Sequence, residues 1–403
     1  MNLSFSIGAV LIPFEFVLMA GILLGVALFH RHSLRIALIG LLTVVTYRVL
    51  SDPTFSLTRH FLGEVPFLTQ FVHRDMRQGE WPVLLNLLGL LLGFAVLSRH
   101  FEESRIPAAL PRFLPSDWRG PVILLAMIFC LSTFLDNIAA AMIGGAMASV
   151  IFKGRVHIGF LVAIVAASNA GGAGSVIGDT TTTMMWIDGV SAWRVLHAFI
   201  ACSAAFLVFA FVAARQQIRY QPMAQFAGEG LTVDWARLWI VVTILGSAIA
   251  ANVLLDFPAA GVWIAIVICG MFRSTPWREA RAAVPGSVFL LSLVICASLM
   301  PVASLPAASW RSTFGMGLAS AVFDNIPLTK LALEQGGYDW GFVAYAVGFG
   351  GSMIWFGSSA GVALSGKFPE AKSVGAWVKG GWHVILAYVI GFFALLAVCG
   401  WHP

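Results

Sequence analysis

"SNAGGAGSVIGDTTTTMMW" spans residues 168–186 and interrupts a long apolar run. Upstream stands "HIGFLVAIVAA" (157–167), and downstream "WRVLHAFIACSAAFLVFAFVAA" (193–214). Four glycines, an Asn, an Asp and four threonines thus occupy a place where a membrane helix would otherwise run. Unpaired backbone in hydrocarbon is prohibitive unless protein buries it or it lines a watery cavity. Such a break therefore predicts a polar site built from backbone dipoles and side-chain oxygens. The glycines of 171–178 are expected to unwind the helix at mid-span and to let backbone approach a bound ion. Positive φ is expected at one or more of Gly171, Gly172 and their later counterparts Gly350 and Gly351. Ser168 and Asn169, with the carbonyls ending the first half-helix, supply oxygen ligands. Asp179 and Thr180 stand where the second half-helix begins, as N-caps would. A continuous helix, with glycines for tight packing and back-bonded threonines, explains neither Asp179 nor the matching break described below.

The surrounding composition sets the solvent. The 403 residues are 59% hydrophobic and 11% charged, where a soluble protein would carry about a quarter charged residues. Apolar runs recur at the roughly 20 residues needed to cross a bilayer. The fold class is an all-α polytopic membrane protein. The first apolar run, Ile7–Phe29, lacks a basic leader and a small-residue cleavage site, so a retained helix is expected. Cys130, Cys202, Cys269, Cys296 and Cys399 sit singly in apolar segments, which suits packed thiols and neither a disulfide framework nor a metal site. The net charge of +5 falls in short loops, so it points to the membrane surface and to no nucleic acid.

Spanning helices are predicted at 7–29, 33–50 and 81–98, then a hairpin at 120–151, a broken helix at 157–186 and a closing helix at 193–214. A polar linker, 215–234, separates this first half (1–214) from a second (235–403). The second half offers helices at 235–255, 258–272 and 284–300, a hairpin at 308–336, a broken helix at 338–366 and a closing helix at 376–399. "STFLDNI" (132–138) answers "SAVFDNI" (320–326), and "AGGAGSVIGDTTT" (170–182) answers "FGGSMIWFGSSAG" (349–361). Each Asp-Asn segment suits two half-helices that enter and leave on one side as a re-entrant hairpin. Each half then makes five crossings, and an odd number forces the second half to start on the opposite side. The expected architecture is an inverted repeat with its site at mid-membrane, as in many secondary transporters. Seventeen Lys and Arg side chains, Arg31, Arg112, Arg155 and Arg219 among them, fall on one side and six on the other. That bias places the linker in the cytoplasm and both termini outside.

Asp136, Asp179 and Asp324 carry the sharpest chemical signal. A carboxylate at the membrane centre costs roughly 3 kcal/mol even on the gentle insertion scale, so three are not placed idly. A desolvated carboxyl group also holds its proton to higher pH, which suits exchange of a proton for a cation. Where the first half has Asp179-Thr180, the second has Ser358-Ser359. The principal cation site is therefore expected in the first half, completed by Asp324, Asn325, Ser358 and Ser359. Glu15 reads as a helix-packing residue, Lys330 as the partner of Glu334 one turn on, and His197 and His383 as interfacial. No phosphate-binding glycine loop, nucleophile elbow or metal-ligand set occurs, so a transporter is expected rather than an enzyme, with no cofactor.

With "LDNIAA" (135–140), "SNAGGAGSVIGDTTTTMMWI" (168–187), "FDNIPL" (323–328) and "GFGGSMIWFGSSAGVA" (348–363) in view, the chain resembles the NhaD-type sodium/proton antiporters. That family belongs to the ion transporter superfamily, together with arsenite- and citrate-type carriers. The resemblance implies a transport domain of two hairpins and two broken helices, a scaffold from the first three helices of each half, a homodimer in the bilayer, and elevator-like movement. It marks Ser132, Asp136, Asn137, Asn169, Asp179, Thr181 and Thr182 in the first half. In the second it marks Ser320, Asp324, Asn325, Ser358 and Ser359. Asp136, Asn137, Asn169 and Asp179 would hold the transported Na+. The alternative within the superfamily is a coupled carrier of a carboxylate such as citrate or of a metalloid oxyanion such as arsenite.

Overall fold

The computed structural model describes residues 4–7, 10–29, 32–109, 113–223 and 232–403. Strands β1 (Ser4–Ile7) and β2 (Val10–Pro13) pair antiparallel and lead into α1 (Phe14–Leu28). Helices α2 (Ser33–Ser51), α3 (Leu57–Leu62), α4 (Phe67–Val72), α5 (Trp81–Glu103) and α6 (Ile106–Ala109) follow. Next come α7 (Arg119–Ser132), α8 (Asn137–Ile151), α9 (Ile158–Ala173), α10 (Thr180–Ile187), α11 (Trp193–Leu196) and α12 (Ala198–Tyr220). Beyond the linker lie α13 (Trp235–Leu255), α14 (Pro258–Gly270), α15 (Trp277–Ser298), α16 (Trp310–Ser320) and α17 (Asn325–Gln335). The chain closes with α18 (Trp340–Gly350), α19 (Ser359–Lys367), α20 (Val374–Gly380) and α21 (Trp382–Cys399). Among the described residues, six segments are long and apolar enough to cross a membrane: Ser33–Ser51, Trp81–Glu103, Trp193–Tyr220, Trp235–Leu255, Trp277–Ser298 and Trp382–Cys399. The protein is a multi-pass, α-helical membrane protein.

Several boundaries differ from expectation. The first helix begins at Phe14 and not at residue 7, because Pro13, at φ −57° and ψ 142°, stands in its N-cap position. Pro has no N–H and clashes with the preceding turn, so a helix tolerates it at the start and not in the interior. Residues 215–220 of the expected linker continue α12, while 224–231 lie outside the described residues, as do Arg31 and Arg112. The expected 284–300 helix starts earlier, at Trp277, and carries Pro285 inside it. The short helices α3 and α4 fill a stretch for which no element was expected.

The chain divides into two compact units. One comprises Met1–Arg99, Trp239–Pro306 and Leu333–Gln335. In it α1 packs on α2, and α2 on α15. Asn86 on α5 accepts the Ala259 N–H at 3.1 Å, and Trp263 Nε1 donates to the Gly89 carbonyl at 3.0 Å, which ties α5 to α14. Glu15 is buried and faces Arg48 of α2 at 3.6 Å, so it is a helix-packing ion pair within this unit.

The other unit comprises His100–Leu238, Ala307–Ala332 and Gly336–Pro403. Its core is α9 and α18, in which every residue from Gly159 to Ala173 and from Trp340 to Gly350 is buried. A helix apolar on all sides is covered on all sides. Here α7, α8, α12 and α19 pack on α9, while α16 and α12 pack on α18. Small residues let these backbones approach closely. His383 is fully buried on α21, and His197 reaches Asp339 at 2.7 Å. Helices of the same unit enclose the one, and a buried carboxylate orients the other.

Candidate functional site

Two chain tips and two helix breaks meet the core helices of this unit. Between α7 and α8 the chain turns at 133–136, and Asp136 takes the N-cap position with φ −52° and ψ 139°. Its carboxylate accepts the Ile138 N–H at 3.1 Å. Between α16 and α17, Asp324 does the same with φ −55° and ψ 141°, accepting the Ile326 N–H at 3.0 Å. In each, a carboxylate caps a helix N-terminus, where the dipole favours negative charge.

The first break, 174–179, separates α9 from α10, and the second, 351–358, separates α18 from α19. Gly171 and Gly172 lie within α9, and none of Gly171, Gly172, Gly350 or Gly351 has positive φ. The helix does break within 171–178, at Gly174 and Gly178, but the expected positive φ is not found: Gly171, Gly172 and Gly350 are helical, Gly351 caps α18, and these four serve close approach. A Cβ on Gly171 would meet the Phe129 carbonyl, and one on Gly172 would lie 2.7 Å from the Gly178 carbonyl oxygen. The bends are held by hydroxyls instead. Thr182 Oγ1 donates within the first break, 2.6 Å from the Ser175 carbonyl and 3.0 Å from that of Asp179. Ser175 Oγ donates to the Thr133 carbonyl at 2.5 Å, which links the break to the tip between α7 and α8. In the second break Ser358 accepts the Gly361 N–H at 3.2 Å, and Trp377 Nε1 donates to the Ser352 carbonyl at 3.1 Å.

Asp179 occupies the N-cap position of α10, 2% exposed, but its carboxylate turns to side chains. Asn137 Nδ2 donates to Asp179 Oδ1 and to Asn169 Oδ1, each at 3.1 Å, and Thr181 Oγ1 donates to Asp179 Oδ2 at 2.7 Å. Asn169 is fully buried near the end of α9 and donates on its other side to Ser352 Oγ at 2.9 Å and Ser358 Oγ at 3.1 Å. Ser132 Oγ, at the end of α7, is buried with no hydrogen-bond partner among the described residues. Buried hydroxyls almost always find a partner, so an open oxygen here suits a ligand. Asp136 and Asp324 both lie within electrostatic range of Asp179. Buried carboxylate, amide and hydroxyl oxygens form the donor set of a hard cation.

Not every expected residue joins this cluster. Ser168 Oγ donates to the Val165 carbonyl of its own helix at 2.9 Å, and Ser320 Oγ to the Val347 carbonyl at 2.7 Å. Their protons are committed to backbone. Thr180 and Ser359 are the first residues of α10 and α19, and neither makes a side-chain hydrogen bond among the described residues. Asn325 is buried, yet its amide is not bonded into the cluster, so Asn137 has no equivalent partner set in the second hairpin. Ser352 and Ser175 went unmarked in the sequence. The signal for Ser352 was a lone hydroxyl after Gly350-Gly351, where the first half carries Ala173.

The chain is similar to known membrane transport proteins. A family model described as citrate transporter matches residues 16–350. Sodium/proton antiporter 1 of Arabidopsis thaliana is 26% identical over 344 residues, 70% of this chain and 57% of that protein. The Na(+)/H(+) antiporter NhaD of Alkalimonas amylolytica is 26% identical over 328 residues, 68% of this chain and 67% of its own. The Na(+)/H(+) antiporter NhaD of Vibrio cholerae is 28% identical over 323 residues, covering 66% and 67% respectively. The chain therefore belongs to the citrate transporter family and, within that ion transporter superfamily, is similar to the NhaD-type sodium/proton antiporters.

Proposed function

We propose that the protein exchanges Na+ or Li+ for H+ across a cell (inner) membrane by alternating access. The observation that carries this reading is Asp179, buried at a helix break and held by the Asn137 amide and the Thr181 hydroxyl, with no cation of the protein at ion-pair distance among the described residues. Asp179 takes a proton or a sodium ion in turn. Asn137 orients it, and Asp136 and Asp324 add negative potential at the two hairpin tips. The two halves, divided between α12 and α13, are inverted repeats joined by a cytoplasmic linker that follows Tyr220, with both termini outside. Hairpins, broken helices and closing helices form a compact unit of their own, which supports elevator-like movement within a homodimer.

Purified protein in vesicles with an internal pH dye tests the reading. Added Na+ or Li+ should drive protons in the opposite direction, while K+ and citrate should not. The family model's description favours one second reading, coupled carriage of a carboxylate. Proton or sodium movement that requires citrate would establish that reading and remove the first.

A further inference from the structure

In the unit that holds the broken helices, a cleft of about 820 Å³ opens where α9 begins, α12 ends and α20 closes. It shares no residue with the carboxylate cluster. Three cations, Arg155, Arg219 and Lys379, line it against one carboxylate, Glu370. Among the described residues none of the three cations lies within ion-pair distance of a carboxylate. His157 also lines the cleft, and its burial lowers its pKa.

The wall is fixed rather than a loose basic loop. Gln217, fully buried, accepts the His157 N–H at 2.7 Å and donates to the Arg155 carbonyl at 3.2 Å, which locks the turn that carries Arg155. The Arg155 guanidinium lies 5.8 Å from the Tyr220 ring centroid, and the His157 ring stands edge-on to the same ring at 5.5 Å. Gln216 donates from Nε2 to the Gly380 carbonyl at 3.3 Å, but its Oε1 is buried with no partner among the described residues. Three cations without a carboxylate partner on a fixed wall call for a negatively charged ligand.

We propose that this cleft binds the phosphate of an anionic phosphoglycerol lipid. Arginine and lysine meet the phosphate oxygens, arginine in two-pronged fashion. The cleft lies at the end of one candidate spanning segment, Trp193–Tyr220, and just before another, Trp382–Cys399. Basic pockets there hold anionic head groups, with each cation contributing a comparable share.

The test titrates delipidated protein in neutral detergent with short-chain phosphatidylglycerol and counts bound lipid by native mass spectrometry. Phosphatidylglycerol should bind well above phosphatidylcholine. The doubly substituted Arg155→Gln/Arg219→Gln protein should bind it about thirtyfold more weakly, roughly fivefold per arginine. Arg215→Gln removes the same charge one turn away without lining the cleft, and should bind as wild type does. Equal binding of the two lipids, or an equal loss in Arg215→Gln and Arg219→Gln, would overturn the proposal in favour of general surface charge. Glycerol 3-phosphate that binds as tightly as the lipid supports the phosphate site and assigns its source to a soluble ester. The cations are exposed, so folding should survive. Should the double variant aggregate, Lys379→Gln gives the same reading with one cation removed.

Discussion

Asn137 Nδ2 stands 3.1 Å from Asp179 Oδ1 and joins the tip of the first hairpin to the break between α9 and α10. Its other hydrogen goes to Asn169 Oδ1, also at 3.1 Å, so one amide holds a carboxylate and a second amide in register. Asn169 passes the constraint on to Ser352 and Ser358 in the second break. A chain of buried hydrogen bonds thus runs through both halves of the sequence, and partly satisfied networks of this kind are costly to disturb.

Asp179→Asn keeps the shape and removes the charge. Asn137 still has an acceptor if the new amide turns its oxygen that way, but Thr181 then faces an NH2 group where it donated at 2.7 Å. The loss in stability should be about 1 kcal/mol, the worth of a single hydrogen bond. Cation-driven proton movement should disappear, because a neutral amide neither binds nor releases a proton. Full exchange by this variant would take Asp179 out of the mechanism. Asn137→Ala should cost more, about 1–3 kcal/mol, since it leaves two buried acceptors without their donor.

Competition of proton and cation for Asp179, as proposed, fixes the sign of the pH dependence. At low pH the proton holds the site, so the apparent Km for Na+ is high. As pH rises the site empties, and the Km should fall by at most about tenfold per pH unit per proton displaced. It should then level off once the carboxylate is fully ionised. A Km that stayed flat from pH 5.5 to 9.5, measured with saturating buffer inside the vesicles, would contradict direct competition.

The proposed orientation has its own consequence. Gln221 caps the end of α12 just beyond Tyr220. In a background freed of the five native cysteines, Gln221→Cys should resist an impermeant thiol reagent applied to intact cells and react once the membrane is opened. Rapid labelling in intact cells would invert the topology.

How much of this was legible in the sequence follows from what each residue costs in a membrane. Asp136, Asp179 and Asp324 stood out because charge in hydrocarbon is rare, and all three are found at helix N-termini beside breaks. Spans such as Ser33–Ser51 were readable from length alone. The start of α1 was misplaced because the apolar content of 7–13 does not reveal whether it forms strand or helix; Pro13 held the answer. Helices α3 and α4, six residues each, are too short to show a period. Ser352 was hidden because a hydroxyl in a Gly-rich stretch reads as loop chemistry until Asn169 is seen to reach it. Gly171 and Gly172 were recognised for the wrong reason, since a glycine needed for contact looks the same in sequence as one needed for φ.

That distinction can be measured at Gly172. Its backbone is helical, so alanine brings no φ strain, and in open space it would stabilise the helix by up to about 1 kcal/mol. The space is not open: a Cβ there would lie 2.7 Å from the Gly178 carbonyl oxygen and 2.9 Å from Asp179 Cβ. Both are main-chain or main-chain-anchored atoms, so the break itself must move, carrying Asp179 away from Asn137. Overpacking of this kind costs about 1–3 kcal/mol, enough to outweigh the propensity gain. Gly172→Ala should therefore lower the melting temperature and raise the apparent Km for Na+ together. Gly315→Ala supplies the comparison, because that glycine sits inside α16 with nothing within 4 Å of its would-be Cβ. It should be silent in transport and neutral or stabilising in the melt. If Gly172→Ala behaved like Gly315→Ala, with unchanged affinity and a raised melting temperature, the close approach of α9 to the break would not be what holds Asp179 in place.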